Sequence, residues 1–193
     1  MRIITGRLKG RKIPTLKTEE IRPTSDRTKE GMFGVITARR DFDGLHILDL
    51  FAGTGNLGFE AISRGAATVT SVEENSEAGK LINQTAEKFG IADQVHVAPF
   101  PVEHYLQGSP RPFDIVFADP PYDLADMPGL VDLIINEGWL KEDGWLILEH
   151  DSRHDFTTHP HCVFSKPYGR TIVTIFLSYP IPDEAINSEE HIE

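Results

Sequence analysis

Short apolar runs alternate with helix-like segments along the middle of the chain. Runs of strand length lie at residues 45–51, 68–72, 94–98, 114–118 and 145–149. Apolar side chains at helical spacing occur between them, at residues 57–64, 77–89 and 127–137. Alternation of this kind is typical of a parallel sheet that helices cover on both faces. The pattern therefore predicts an α/β fold with a doubly wound, mostly parallel, Rossmann-like sheet.

The two ends of the chain depart from this alternation. Residues 2–13 predict two short strands around a glycine-containing turn, and residues 22–27 predict the start of a helix with an apolar stripe. Residues 163–166 and 171–178 predict a closing hairpin that adds an antiparallel edge to the sheet. We expect three parts: a basic hairpin and helix at 1–40, the main domain at 41–179, and an acidic, disordered tail at 180–193.

Charge is unevenly distributed along the sequence. The net charge is −11, yet residues 1–40 hold 11 Lys or Arg against 4 Asp or Glu, while the remainder holds 8 against 26. Because electrostatic fields in salt are local, a basic arm can attract phosphate even on an acidic protein. The alternative is a basic face that is merely solvated. The single Cys162, the absence of a secretory leader and the absence of a membrane-length apolar run predict a cytoplasmic protein.

A glycine-rich loop links the first long strand to its helix. Gly53, Gly55 and Gly58 form a G-x-G-x-x-G pattern, in which glycine lets the backbone approach a ligand closely. Glu73 ends the next strand, where an acid would bind ribose hydroxyls. The pair indicates a dinucleotide or S-adenosylmethionine, against the alternative of a tight turn without a ligand. Asp49 favours S-adenosylmethionine, because a carboxylate beneath the loop suits an ammonium group and needs a cationic or donor partner when buried.

The tetrapeptide Asp119-Pro120-Pro121-Tyr122 follows the apolar strand at 114–118. It combines a carboxylate, a turn stiffened by two prolines that lack N–H groups, and an aromatic plane. These groups would hold a planar amino group in front of an electrophile, whereas the alternative is an ordinary turn with a surface tyrosine. Because ligands bind at the carboxyl ends of parallel strands, we expect the tetrapeptide to face the glycine loop across one crevice.

These segments together resemble class I S-adenosylmethionine-dependent methyltransferases that act on exocyclic or amide nitrogen. More narrowly, the chain resembles the RsmD family, bacterial enzymes that methylate N2 of a guanine in 16S ribosomal RNA. The resemblance covers roughly residues 1–178. It is carried by segments at residues 2–4, 10–11, 22–27, 48–58, 60–61, 63–66, 119–122 and 168–169. It implies a seven-stranded sheet whose last strand is antiparallel.

The resemblance implies roles for individual residues. In catalysis, the Asp119 carboxylate and the Pro120 carbonyl would accept the N–H groups of the target amine, while Tyr122 stacks on the base. The expected cofactor-binding residues are Arg22, Pro23, Thr24, Asp49, Phe51, Gly53, Gly55, Gly58, Glu73 and Phe100. RNA phosphates would be held by the basic residues Arg2, Arg7, Lys9, Arg11, Lys12 and Arg27. Phe100 is included because residues 98–102 lack the Asp or Asn that contacts adenine in many relatives.

Other functions fit parts of the same pattern. The target could be adenine N6 in DNA or RNA, or a protein glutamine, and the chain could be an RNA-binding assembly factor without chemistry. A dinucleotide-dependent oxidoreductase would leave the tetrapeptide unexplained. We expect a monomer that acts on 16S ribosomal RNA or a small-subunit particle, without a metal or a membrane. The histidines between residues 150 and 161 are expected to form a polar loop rather than a metal site, because no H-x₃-H helix or C-x-x-C pair accompanies them. Glu149 is expected to be a solvated strand end, the alternative being that it faces the crevice.

Overall fold

The computed structural model describes residues 1–16 and 26–180. Its helices are α1 (Asp26–Thr37), α2 (Asn56–Ser63), α3 (Ser76–Phe89), α4 (Val102–Leu106) and α5 (Met127–Asn136). Its strands are β1 (His46–Leu50), β2 (Thr68–Val72), β3 (Val95–Ala98), β4 (Phe113–Ala118), β5 (Leu140–His150), β6 (Cys162–Tyr168) and β7 (Thr171–Leu177). The predicted cofactor-binding residues Arg22, Pro23 and Thr24, and the predicted tail beyond residue 180, lie outside the described residues.

The seven strands form one sheet in the order β3-β2-β1-β4-β5-β7-β6. Neighbouring pairs from β3 to β5 are parallel, and β7 runs antiparallel to both β5 and β6. The α/β fold and the antiparallel last strand are therefore confirmed. The predicted closing hairpin is also confirmed: β7 pairs antiparallel with β5, and β6 pairs antiparallel with β7 and forms the edge of the sheet.

The register of the sheet brings four strand ends to one level. Leu50 of β1 pairs with Val72 of β2 and with Ala118 of β4. Ala118 pairs in turn with Leu148 of β5. The next residues along these strands are Phe51, Glu73, Asp119 and Glu149, of which Glu149 still lies within β5 because that strand continues to His150. The sheet thus places the glycine loop and the tetrapeptide on adjacent strands, as the doubly wound order predicts.

Two apolar clusters lie on the two faces of the sheet. The first includes Met32 and Phe33 of α1 and reaches the arm at residues 1–13, where Ile3, Leu8 and Ile13 are buried in the same cluster. The two short strands predicted for the arm are wrong, because its regular pairing is a single antiparallel bridge between Arg2 and Lys12. The two halves of the arm are still joined, because the Ile3 N–H donates to the Arg11 carbonyl at 3.0 Å and the Ile13 N–H to the Met1 carbonyl at 3.1 Å, and the arm as a whole packs against the main core.

Two further elements differ from the sequence prediction. The short helix α4 was not predicted, since five residues between prolines and a glycine carry little periodicity. Strand β5 begins at Leu140, five residues before the predicted run at 145–149, and its first part is irregular, with a register shift against β4. Within residues 1–16 and 26–180, no helix is both long and apolar enough to cross a membrane.

Candidate active site

The glycine loop adopts backbone conformations that explain its composition. Gly53 and Gly55 have φ values of 55° and 79°, and Gly55 lies directly before α2. Phe51 also has a positive φ, 60°, although it is not a glycine. A left-handed conformation costs a residue with a Cβ atom about 1–2 kcal/mol. The loop is therefore held in a defined and strained shape at the carboxyl end of β1, which is typical of ligand-binding segments.

Asp49 and Gly58 join the strand beneath the loop to the helix above it. The Gly58 N–H donates to Asp49 Oδ2 at 3.1 Å. A Cβ atom at Gly58 would lie 2.9 Å from Val69 Cγ2, so only glycine fits this close approach. Asp49 is 2% exposed, and this burial, together with Asp119 and Glu73, raises its pKa to about 7. The carboxylate thus has the donor that its burial requires, and it ionises more fully when a cation approaches.

Glu73 fixes the opposite side of the loop. Its Oε2 accepts the Gly53 N–H at 2.7 Å, and its Oε1 accepts the Asn75 N–H at 2.8 Å. Burial raises the pKa of Glu73, and the Asn75 and Gly53 N–H groups oppose that rise. Glu73 therefore orders the loop as well as standing at the strand end where ribose hydroxyls are expected. A carboxylate retains further lone pairs for such hydroxyls.

A cavity of about 190 Å³ opens beside these residues. Its walls include the apolar side chains of Phe51, Val72 and Leu124, and its acidic lining includes Glu73 and Glu103. Apolar walls with a few convergent polar groups are typical of small-molecule sites. Glu103 comes from the unpredicted helix α4, which explains why sequence reasoning missed it.

Phe100 is placed apart from this cavity. It lines a neighbouring open groove of about 670 Å³ and is 44% exposed. Its ring stacks on His104 with a centroid distance of 5.4 Å. The cavity wall nearest the end of β3 is therefore supplied by Val102 and Glu103 instead.

The tetrapeptide is anchored on both sides of Tyr122. The Tyr122 hydroxyl and Thr171 Oγ1 form a hydrogen bond of 3.0 Å, which ties the ring to the start of β7. Arg153 Nη2 donates to the Tyr122 carbonyl at 2.6 Å and also pairs with Asp151 at 2.7 Å. Asp119 is partly buried at the end of β4. Arg153 and Thr171 were missed because both lie far along the chain from the tetrapeptide.

The predicted solvation of Glu149 is wrong. Glu149 is 2% exposed, because β5 is an inner strand with β4 on one side and β7 on the other. His150 is also buried and bonds to Thr174 Oγ1 at 2.8 Å. Across the described ranges, no cluster of His, Cys, Asp and Glu is arranged to hold a metal ion.

The basic side chains predicted to bind RNA do not all lie near the tetrapeptide and the glycine loop. The Arg2 side chain pairs with Asp26 at 3.2 Å, and Arg27 is exposed on the first turn of α1. Arg7 donates to Gln94, just before β3, and Arg11 donates to the Lys88 carbonyl in the last turn of α3 at 3.5 Å. These two partners lie at the amino-terminal edge of the sheet, away from Asp119.

The remaining basic residues of the arm, Lys9 and Lys12, are exposed. The predicted RNA-binding residues are therefore spread out, from Arg2 and Arg27 at the start of α1 to Arg11 at the last turn of α3.

A family model described as Conserved hypothetical protein 95 matches residues 1–177. The chain is 33% identical over 178 residues to the ribosomal RNA small subunit methyltransferase D of Haemophilus influenzae, covering 90% of this chain and 91% of that protein. It is also 33% identical over 162 residues to the protein of the same name from Escherichia coli K12, covering 83% of this chain and 79% of that one.

Solved structures show the same fold. A hypothetical protein from Thermus thermophilus superposes with a TM-score of 0.77 at 26% identity, covering 91% of this chain and 98% of that chain. An RNA methyltransferase from Salinibacter ruber in complex with S-adenosyl-L-homocysteine superposes with a TM-score of 0.64 at 16% identity. That second match covers 89% of this chain and 99% of the other and concerns the fold alone.

Proposed function

The chain belongs to the Conserved hypothetical protein 95 family, which is the RsmD family of the sequence resemblance, and on that premise we propose that it methylates the N2 amine of a guanine in 16S ribosomal RNA. The methyl donor is S-adenosylmethionine. The rRNA methyltransferase activity follows the relatives that carry that name. Guanine N2 is the more specific part of the proposal and rests on the resemblance to the RsmD family, whereas the acceptor groups of the tetrapeptide suit an exocyclic amine in general.

The single observation that carries the proposal is the shared level of the strand ends. Because Leu50 pairs with both Val72 and Ala118, the segments that carry the glycine loop, Glu73 and Asp119 leave the sheet side by side at its carboxyl end, which supports one shared crevice. A donor held by the loop and an amine held by Asp119 would then meet without a further rearrangement of the sheet. Positioning of this kind is the main task in a displacement whose electrophile is already reactive.

The residues present fit the cofactor. Left-handed Gly53 and Gly55 and the close contact at Gly58 form a tight strand–helix loop, and the adjacent cavity has apolar walls and acidic groups. Asp49 would attract the ammonium group through the loop, and Glu73 would accept from ribose hydroxyls. Glu103 would accept from the adenine amino group in place of the missing Asp or Asn. When bound, S-adenosylmethionine supplies an electrophilic methyl group on a sulfonium.

The tetrapeptide would orient the nucleophile. The Asp119 carboxylate and the Pro120 carbonyl accept the two N–H groups of guanine N2, which turns the nitrogen lone pair toward the loop. Asp119 then takes the proton that the methylated nitrogen releases, directly or through water. Tyr122 stacks on the base, with its ring held by Thr171 and its carbonyl by Arg153. The base must leave its stack, or lie in a loop, to reach this crevice.

The arm and α1 would bind the rest of the substrate. Exposed Lys9, Lys12 and Arg27, with Arg2 nearer the crevice, offer cations to RNA phosphates. Contacts of this kind confer affinity without reading sequence, which suits an arm that spreads along one side of the protein. The proposal places the protein in the cytoplasm, with the small subunit or its RNA as the partner.

The test is a methyl-transfer assay on small-subunit particles and on 16S ribosomal RNA from bacterial cells that lack the family enzyme. Labelled methyl is mapped to the base and to the atom. Asp119→Asn should reduce turnover by at least about 10²-fold while leaving S-adenosylhomocysteine binding within a few-fold of wild type. Asp123→Asn, an exposed carboxylate four residues further along the same segment, is the matched control and should retain turnover.

Two outcomes would contradict the assignment. Methyl groups found on adenine N6, on DNA or on a protein glutamine would replace the guanine target with one of the other methyltransferase activities. Cofactor binding without transfer to any of these substrates would favour a non-catalytic assembly factor.

A further inference from the structure

A lysine is buried completely between the arm, α1 and the glycine loop. The Lys29 side chain is 0% exposed. Its Nζ donates to the Arg2 carbonyl at 2.7 Å and to Asn56 Oδ1 at 2.8 Å, and lies 3.3 Å from Glu60 Oε2. One ammonium group of α1 therefore contacts the arm and two positions one turn apart on α2.

Glu60 continues the same network on its other side. Its Oε2 accepts the Ile4 N–H at 2.7 Å, and its Oε1 accepts the Thr5 N–H at 3.1 Å and Arg64 Nε at 2.9 Å. The Glu60 side chain is also 0% exposed. The backbone of the arm thus bonds to both members of the buried ion pair. The Arg2 carbonyl accepts from Lys29, and the Ile4 and Thr5 N–H groups donate to Glu60.

A purely structural contact would not need these charges. Burial lowers the pKa of Lys29, and the attraction of Glu60 opposes that fall. Well-packed apolar side chains of similar volume are often as stabilising as a buried ion pair. An ammonium with three donors, however, can satisfy a carbonyl, an amide and a carboxylate at once, which an apolar side chain cannot do.

The contact with Asn56 connects this network to the glycine loop. Asn56 is the first residue of α2 and follows Gly55, whose left-handed conformation shapes the glycine loop. Asn56 is 7% exposed, so its side chain is turned inward toward Lys29. Holding this amide fixes the point where the loop becomes a helix.

We propose that Lys29 is a positioning residue that locks the N-terminal arm and the glycine loop into one unit, so that RNA held by the arm strengthens cofactor binding and the cofactor strengthens RNA binding. The inference rests on the proposed function for the identity of the two ligands. Coupling between two sites is reciprocal, so each ligand must change the affinity of the other by the same factor.

Arg64 provides a matched control for Lys29. Both are cations on Glu60, and both are largely shielded from solvent, at 0% and 9% exposure. Arg64 instead reaches Thr37 Oγ1 at 3.3 Å and the ring of Phe33, away from the glycine loop. Lys29→Met and Arg64→Met therefore each remove one partner of the same carboxylate, but only the first releases Asn56.

The experiment measures S-adenosylhomocysteine affinity by calorimetry, with and without a 16S ribosomal RNA fragment, and unfolding by urea for each variant. Lys29→Met should weaken S-adenosylhomocysteine binding about tenfold, as expected for one charge-assisted hydrogen bond that orders the loop. It should also reduce the coupling factor between RNA and S-adenosylhomocysteine toward one. Arg64→Met should leave both quantities within about twofold of wild type, within the usual error of additivity.

Asn56→Ala tests the same contact from the loop side and keeps the buried ion pair intact. Its loss of affinity should match that of Lys29→Met, and the double variant should lose little more, because both remove one interaction. Equal losses in Lys29→Met and Arg64→Met, or full additivity with Asn56→Ala, would overturn the inference. If Lys29→Met does not fold, unchanged affinity and coupling in Asn56→Ala overturn it alone. Failure of the wild-type protein to bind S-adenosylhomocysteine would instead overturn the proposed function.

Discussion

Replacement of Asp49 by asparagine should change the pH dependence of stability in a defined direction. Burial is the main cause that raises the Asp49 pKa from 3.8 to about 7. Because the folded-state pKa lies above the unfolded value, the folded protein keeps a proton that the unfolded chain has lost between about pH 4 and 7. The stability of the wild type relative to Asp49→Asn therefore falls as pH rises through this window and is constant above it.

The magnitude follows from the shift. At about 1.4 kcal/mol per pKa unit, the full window corresponds to roughly 4 kcal/mol, and the part between pH 5 and 8 to about 3 kcal/mol. Asparagine has nearly the same shape as the protonated carboxyl and keeps an oxygen that can accept the Gly58 N–H. We expect the free energy of unfolding of Asp49→Asn minus that of the wild type to rise by about 3 kcal/mol from pH 5 to 8.

Urea unfolding without ligand at pH 5, 6, 7 and 8 measures this difference. Asp114→Asn is the control. Burial opposes ionisation of Asp114, but the Lys141 hydrogen bond at 2.7 Å, the His46 N–H and the Arg40 charge together lower its pKa. Asp114 is therefore ionised in both the folded and the unfolded state above about pH 5. The difference in unfolding free energy between Asp114→Asn and the wild type should then not change with pH. A flat difference for Asp49→Asn as well would refute the reasoning, since it would mean that the buried carboxylate ionises at its ordinary pKa.

Cofactor binding gives an independent check on the same group. An ammonium that approaches Asp49 favours its ionised form, so S-adenosylhomocysteine binding near pH 6.5 should release a fraction of a proton. Calorimetry in two buffers with different ionisation enthalpies measures that release. Asp49→Asn should bind more weakly and release no proton, whereas an unchanged release would assign the proton to another group.

Two further predictions concern the substrate side. Tyr122→Phe keeps the ring and loses the hydroxyl contact with Thr171, so in steady-state assays the KM for RNA should change by a few-fold at most. Tyr122→Ala should raise this KM about 10- to 100-fold, because stacking is worth about 1–3 kcal/mol per base. Equal effects of the two substitutions would argue against stacking. Lys9→Gln combined with Lys12→Gln should weaken RNA binding and reduce the slope of log affinity against log salt by up to about 1.5, measured in a salt titration. S-adenosylhomocysteine binding should not change. An unchanged slope would show that these two lysines do not contact RNA phosphates.

The central sheet could be predicted because its information is local. Each inner strand is a compact apolar run, and the strand–loop–helix segment at Gly53 carries its glycines at fixed spacing. Asp119 was placed beside that loop because a doubly wound order leaves few choices for neighbouring strands. The observed β1–β4 pairing confirmed this placement.

The contacts that complete the site could not be predicted, because they join residues far apart in the chain. Lys29 and Glu60 each look like an ordinary charged residue on a helix, and only the packed structure shows that both are buried. Arg153 likewise reaches Tyr122 across 31 positions in the sequence. Helix α4 was missed for the opposite reason, since it is too short to show a period, and Glu103 was missed with it.

The burial of the arm changes how truncations of this protein should be designed. Deleting the first five residues would remove the Arg2 carbonyl and the Ile4 and Thr5 N–H groups, leaving the Lys29–Glu60 pair with part of its partners gone. The Ile13 N–H also donates to the Met1 carbonyl at 3.1 Å, so an amino-terminal purification tag would extend from ordered backbone. A shortened or amino-terminally tagged protein would thus mix a folding defect with any loss of RNA affinity, and single substitutions at exposed cations give the cleaner comparison.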